Sequence, residues 1–114
     1  MIIGVNNDPQ FGPMVMVGMG GVFVELFKDV QLAPAPLTRE QTKKMLESLN
    51  SYPLLNGYRG NPVCDKEALA DMLVSISEMA AKGKDSIKEL DINPVFVTEE
   101  GVAIADALLV QYMD

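Results

Sequence analysis

The chain has 114 residues, 48% hydrophobic and 22% charged, which suits one globular domain with a single modest core. Its net charge of −7 argues against a general nucleic-acid binder, which needs clustered Lys and Arg, but leaves room for a nucleotide held through a metal ion between carboxylates and phosphates. The absence of His excludes imidazole catalysis, imidazole metal ligation and a phosphohistidine within these residues, and the single Cys excludes an intramolecular disulfide, in keeping with a reducing cytoplasm.

Met1 to Val5 is an apolar run that begins without preamble, as a strand met near its start in a chain cut from something longer. "NNDPQFGP", Asn6 to Pro13, is dense in turn formers and predicts a loop, and "MVMVG" predicts a returning strand that makes a hairpin with the first. The longest apolar stretch, Met14 to Val24, is too short and glycine-rich to span a bilayer, and no basic segment precedes an apolar run, so neither membrane insertion nor a signal peptide is expected. Gly18, Gly20 and Gly21 break the pattern before "VFVELFKDVQLAPAP" resumes it with strand-type residues. The tail from Ala33 to Pro36 is too proline-rich for a sheet interior and reads as an extended exit segment.

Thr38 with Gln41 matches a capping box and predicts a helix from Arg39 to about Leu49. "NSYPLLNGYRGNPV" predicts a loop or a chain of short turns. Asp65 is a suitable N-cap for a long helix, with Leu69, Met72, Leu73, Ile76 and Met79 as one apolar stripe and Gly83 as its stop. The methionines Met45, Met72 and Met79 read as core filling. Two strands follow, Ile87 to about Val97 and Val102 to about Val110, joined by Thr98 to Gly101. Three strands, two main helices and two more strands, with hairpin-length loops, predict an α+β domain: an antiparallel sheet covered on one face by helices.

"KELDINPVF" carries the chemistry. Alternation puts Glu89, Asp91 and Asn93 on one face of a strand and Leu90 and Ile92 on the other, against the helices. A turn of Thr98 to Gly101 sets Asn93 opposite Asp106, and opposed residues share a face. Asp106 lies within "VAIADALLV", where an unpaired carboxylate in apolar surroundings would cost several kcal/mol. Asp91, Asn93 and Asp106 would offer hard oxygen ligands to Mg²⁺, leaving positions for water and phosphate oxygens. Pro94 has no N–H for the ladder and would twist the strand just past Asn93. From the residues alone two readings stay open: a cation site, or the solvated face that such alternation more often marks.

The ordered blocks "DPQFGPMVMVGMGG", "FKDV", "APLTREQ", "YPLLNGYRGNPVCDKEALADML", "ELDINPVFV" and "AIADALLV" resemble the ATP-grasp module of NDP-forming acyl-CoA synthetases, relatives of the succinyl-CoA synthetase β subunit. The resemblance covers nearly the whole chain. It implies the later of two subdomains that hold ATP, or another nucleoside triphosphate, with Mg²⁺ between them. It further implies an acid–thiol ligase as the parent, converting acid, CoA and ATP to acyl-CoA, ADP and phosphate through an acyl phosphate and a phosphohistidine. The CoA-binding and phosphohistidine domains would be partners in the same or another chain. Residues 1–114 are then one domain, inactive in isolation and prone to self-association at exposed sheet edges.

The family's Mg²⁺ ligands map onto Asn93 and Asp106, with Asp91 in support. Two basic positions of the family pattern are Ala33 and Leu108 here, which keeps an alternative in view: a regulatory nucleotide- or acyl-CoA-sensing module of a protein acetyltransferase. A purely structural domain whose acidic face pairs with a partner is a third reading. Gly20, Gly21 and Arg59 are the candidates for contacting phosphates, set against plain readings as a turn and a surface Arg. Glu25 reads as a solvated strand residue that could face the cleft, and Cys64, without a partner base nearby, as inert.

Overall fold

The computed structural model describes residues 1–19 and 29–113. Strand β1 (Ile2–Asp8) and strand β2 (Gly12–Gly18) form the expected hairpin, with a tighter turn than the turn-former run predicts. Asp8 accounts for the difference: its Oδ1 accepts the N–H groups of Gln10 at 2.7 Å and Phe11 at 3.0 Å, so three residues suffice to reverse the chain. Strand β3 (Val30–Pro34) pairs with β2 as far as Pro34 opposite Met14, so the proline-rich tail begins inside the sheet. It can do so because β3 is an edge strand among the described residues, where a missing N–H costs no ladder bond. The first part of the expected third strand, with Gly20, Gly21 and Glu25, lies outside the described residues.

Helix α1 (Arg39–Glu47) starts with the complete capping box, in which Thr38 accepts from the Gln41 N–H at 3.1 Å and Gln41 accepts from the Thr38 N–H at 2.9 Å. A short helix α2 (Tyr52–Leu55) and a 3₁₀ turn (Tyr58–Gly60) fill the expected chain of turns. Helix α3 (Lys66–Lys82) is capped by Asp65, whose carboxylate accepts the Ala68 N–H at 3.0 Å. Leu69, Leu73 and Ile76 are buried and Met72 is partly so, but Met79 is 45% exposed and Ala80 closes the face instead. The geometry explains it: eleven residues beyond Leu69 the helix has turned back to within about 20° of its start, whereas ten residues leave Met79 about 80° aside. Gly83 ends the helix at φ −95°, and its reason is space rather than handedness, since a Cβ there would meet Ile87 Cδ1 at 2.8 Å.

Strand β4 (Ile87–Ile92) pairs with β1, and strand β7 (Ala107–Gln111) pairs with β4, giving a five-stranded antiparallel sheet in the order β3-β2-β1-β4-β7. The two long terminal strands expected from sequence are each divided, because strands β5 (Val95–Thr98) and β6 (Gly101–Ile104) leave the main sheet as a separate hairpin. Ile92 and Val95 are both buried although three residues apart, which one continuous strand forbids, since odd separations point to opposite faces. The break at Asn93–Pro94 shifts that phase.

The core lies between one sheet face (Ile3, Val5, Val15, Val17, Leu90, Ile92) and the helix residues Leu46, Leu69, Leu73 and Ile76. The hairpin β5–β6 closes its flank through Val95, with Val97 and Val102 packed behind, and the Asp65 N–H bonds the Thr98 carbonyl at 2.7 Å. Buried Ser77 ties the layers: its Oγ accepts the Leu37 N–H at 2.9 Å and donates to the Val74 carbonyl at 2.7 Å. The opposite sheet face is open at Asn6, Glu89 and Asp91, which are exposed.

Candidate functional site

The open face is where alternation sends Gly4, Asn6, Met14, Met16, Glu89 and Asp91, since their neighbours Ile3, Val5, Val15, Val17, Leu90 and Ile92 point into the core. Gly4 stands between Asp91 on β4 and Met16 on β2. Its missing side chain deepens the floor there, and a Cβ would sit 3.4 Å from Met16 Cε. The result is a groove of about 530 Å³ with two unlike walls. One is acidic and polar, from Asn6, Asp8, Glu89 and Asp91; the other is apolar, from Phe11, Met14, Met16 and Leu32. Among the described residues no Lys or Arg lines it.

Beyond Asp91 the register continues. The Asn93 N–H donates to the Asp106 carbonyl at 3.1 Å and the Ala105 N–H to the Pro94 carbonyl at 3.1 Å, so the pairing of β4 with β7 runs on into that of β5 with β6 without a slip. Asn93 and Asp106 are therefore opposed, as the turn arithmetic requires, and Asp91 lies two residues before Asn93, within β4. All three are exposed.

Asp106 corrects one expectation. Its apolar neighbours do not bury it: Ile104, Leu108 and Leu109 are themselves exposed, and the Asp106 Oδ1 accepts the Ala107 N–H at 2.9 Å. The reason is position, because β7 is the sheet edge and the outer side of the hairpin faces solvent, so a hydrophobic local sequence does not make a hydrophobic environment. No burial cost demands a cation there. Among the described residues, no three Cys, Asp or Glu side chains converge as a ready-made metal cage.

Arg59 sits elsewhere, in the 3₁₀ turn before α3, at φ 55° with its guanidinium 5.3 Å from the Tyr58 ring centre, and it does not line the groove. Cys64 is half-buried, with its thiol donating to the Val97 carbonyl at 3.5 Å. The groove residues Met14, Met16 and Leu32 were not singled out from sequence. Their signal was present, since "MVMVG" alternates and its methionines must share the face opposite the core valines.

The ATP-grasp domain family model matches residues 1–110. The chain is 46% identical over 112 residues to the β subunit of ADP-forming acetate–CoA ligase II of Pyrococcus furiosus, covering 96% of this chain and 48% of that one. It is 42% identical over 101 residues to the ADP-forming 4-hydroxybutyrate–CoA ligase of Nitrosopumilus maritimus, covering 89% of this chain and 14% of that one. The chain thus spans about half the length, or much less, of the curated relatives it matches. Among solved structures it superposes with a TM-score of 0.92 at 41% identity, covering 97% of this chain and 52% of the other, on the dinucleotide forming acetyl-coenzyme A synthetase 1 of Candidatus Korarchaeum cryptofilum. That protein is in complex with coenzyme A and Mg-AMPPCP, its phosphohistidine segment pointing towards the nucleotide binding site.

Proposed function

The chain belongs to the ATP-grasp domain family, and from that premise we propose that it forms the Mg²⁺-holding half of the nucleotide cleft in a cytoplasmic NDP-forming acyl-CoA synthetase. The observation that carries the reading is the hydrogen bond that opposes Asn93 to Asp106, with Asp91 two residues before Asn93. Their donor set suits the ion: an amide oxygen and carboxylate oxygens, hard and exposed, with the Asp106 Oδ2 left over once Oδ1 accepts from Ala107. Mg²⁺ takes one or two carboxylates together with phosphate oxygens and water, so a fuller protein cage is not required.

Bound there, the ion would draw charge from the β- and γ-phosphates during phosphoryl transfer. Asn93 and Asp106 hold it, and Asp91 supports them. The groove's acidic wall repels phosphate placed without a cation, which confines the nucleotide's charge to the metal end. Since these residues include no His, the phosphohistidine belongs to another segment or a partner chain, as does the CoA-binding domain. Gly20, Gly21 and Arg59 remain proposed phosphate contacts, Arg59 with the least support because it lies off the groove.

The test is the Mg²⁺ dependence of turnover in the full-length protein. Asp106→Asn should raise the half-saturating Mg²⁺ concentration by roughly tenfold or more, the scale on which even indirect partners of a metal site act. An unchanged Mg²⁺ profile rejects the assignment. Titrating MgATP into the 114-residue chain alone should give only weak binding, because this reading assigns the other half of the cleft to residues outside it. The regulatory alternative draws on two observations: Leu108, opposite Asp91 on the open face, is 63% exposed, and among the described residues no cation lines the groove. Full-length protein that binds MgATP without turning over acid and CoA would favour it.

A further inference from the structure

Asn93 and Pro94 join β4 to the hairpin β5–β6, and the two sides of that joint count differently. Towards β7 and β6 the count is even: Ile92 faces Ala107 and Val95 faces Ile104, with two residues between them on each strand. Towards β1 it is not. Ile92 faces Ile3, while the Val95 N–H donates to the Met1 carbonyl at 2.7 Å and the Val95 carbonyl accepts from the Met1 nitrogen at 3.1 Å. Asn93 and Pro94 therefore stand against the single residue Ile2, which makes them a β-bulge.

Proline chemistry is the cause. Peptide groups alternate sides along an antiparallel strand. Asn93 donates towards Asp106, so the next residue is due to donate towards β1, where the Met1 carbonyl lies. That residue is Pro94, which has no N–H. Val95 makes the bond one residue late, and the Pro94 carbonyl turns the other way to accept the Ala105 N–H at 3.1 Å. The delay decides what is buried. Val95 enters the core at 1% exposure and Phe96 is left at 56%, the reverse of what a regular strand running on from Ile92 would give.

We propose that Pro94 is a positioning residue for the Mg²⁺ site, acting through the bulge it forces. A bulge raises the local twist and re-aims the side chains it carries, and one of its two residues is the amide ligand Asn93. A residue with an N–H at position 94 would bond Met1 itself, close the bulge and return Asn93 to the regular row of Glu89 and Asp91. Asn93 and Asp106 would then meet a shared ion in a different geometry, and Mg²⁺ accepts little departure from an octahedron. The inference rests on the Mg²⁺ reading and adds to it a residue that touches no ligand.

Turnover of the full-length protein against Mg²⁺ concentration tests it. Pro94→Ala should raise the half-saturating Mg²⁺ concentration by roughly tenfold, the scale on which indirect partners of a metal act, and keep turnover once Mg²⁺ saturates. Lactic acid at position 94, with the alanine methyl but an ester oxygen in place of the N–H, should restore the wild-type value, and it reads the same point should Pro94→Ala not fold. Val95→Ala truncates a core residue but keeps the proline and the next N–H, so it should lower the melting temperature and leave the Mg²⁺ profile unchanged. An unchanged profile in Pro94→Ala beside a raised one in Asp106→Asn overturns this inference alone. Unchanged profiles in both reject the metal reading and this inference with it. An ester that behaves as alanine does, or an equal shift in Val95→Ala, also overturns it, because the ring or general stability would then account for the effect.

Discussion

Ser77→Ala removes the one hydroxyl that ties α3 to the segment leading into α1. The Oγ accepts the Leu37 N–H at 2.9 Å, and both residues are buried, so the variant leaves that N–H without an acceptor and without water. An orphaned buried donor costs about 1–3 kcal/mol. The second bond, from Oγ to the Val74 carbonyl, adds little, because that carbonyl keeps its helical partner four residues on. The lost volume is one oxygen atom, so no sizeable cavity forms. We expect a loss of about 2 kcal/mol, which at an m value of about 2 kcal/mol/M lowers the urea midpoint by roughly 1 M. Urea unfolding followed by far-UV circular dichroism measures this directly, with an unchanged m value marking an effect on the native state. Ser48→Ala is the control: its Oγ also donates to a carbonyl of its own helix, that of Lys44 at 2.7 Å, but in solvent and with no N–H depending on it, so about 0.5 kcal/mol or less is expected. Equal losses in the two variants would refute the orphaned-donor reasoning.

Thr38→Ala should cost about 1 kcal/mol, and Gln41→Ala should cost less in its background than in the wild type, because the two side chains form one box; a double-mutant cycle measures the coupling. Gly83→Ala forces a Cβ within 2.8 Å of Ile87 Cδ1 and 3.1 Å of the Met79 carbonyl, so a loss of about 1–3 kcal/mol is expected by thermal or urea unfolding, although φ is ordinary. The Glu67 carboxyl is held below its ordinary value by hydrogen bonds from Lys43 and then Arg39. Its folded-state pKa being depressed, the stabilisation is present above the usual carboxylate range and is lost as pH falls through the lowered value. Glu67→Gln should therefore flatten the acid limb of a stability–pH curve and leave its shape at neutral pH alone. Gly4→Leu in the full-length protein fills the groove floor beside Met16 and should weaken MgATP binding more than it lowers the melting temperature, as calorimetry and a thermal melt together would tell.

Local signals proved sufficient wherever one bond or one steric fact decided the outcome. The Thr38–Gln41 box, the Asp65 cap and the Thr98–Gly101 turn each act over a few residues, and each stands where its sequence pattern puts it. Because register in a hairpin follows from its turn, the opposition of Asn93 and Asp106 was legible too, as was the burial of Leu90 and Ile92 against the exposure of Glu89 and Asp91.

What needed the folded molecule was everything set by which element covers which. Asp106 sits among apolar residues in sequence yet in solvent, because β7 is an edge; Met79 belongs to the apolar stripe yet is exposed, because α3 turns its last step towards Ala80. The departure of β5–β6 from the main sheet at Pro94, and the meeting of Gly4, Met16 and Asp91 from three strands at one groove floor, join residues far apart in the chain. Covalent neighbours determine turns, caps and facing directions through short-range sterics and hydrogen bonds. Burial, by contrast, depends on which distant surfaces the chain brings together, and no stretch of sequence contains its own partner.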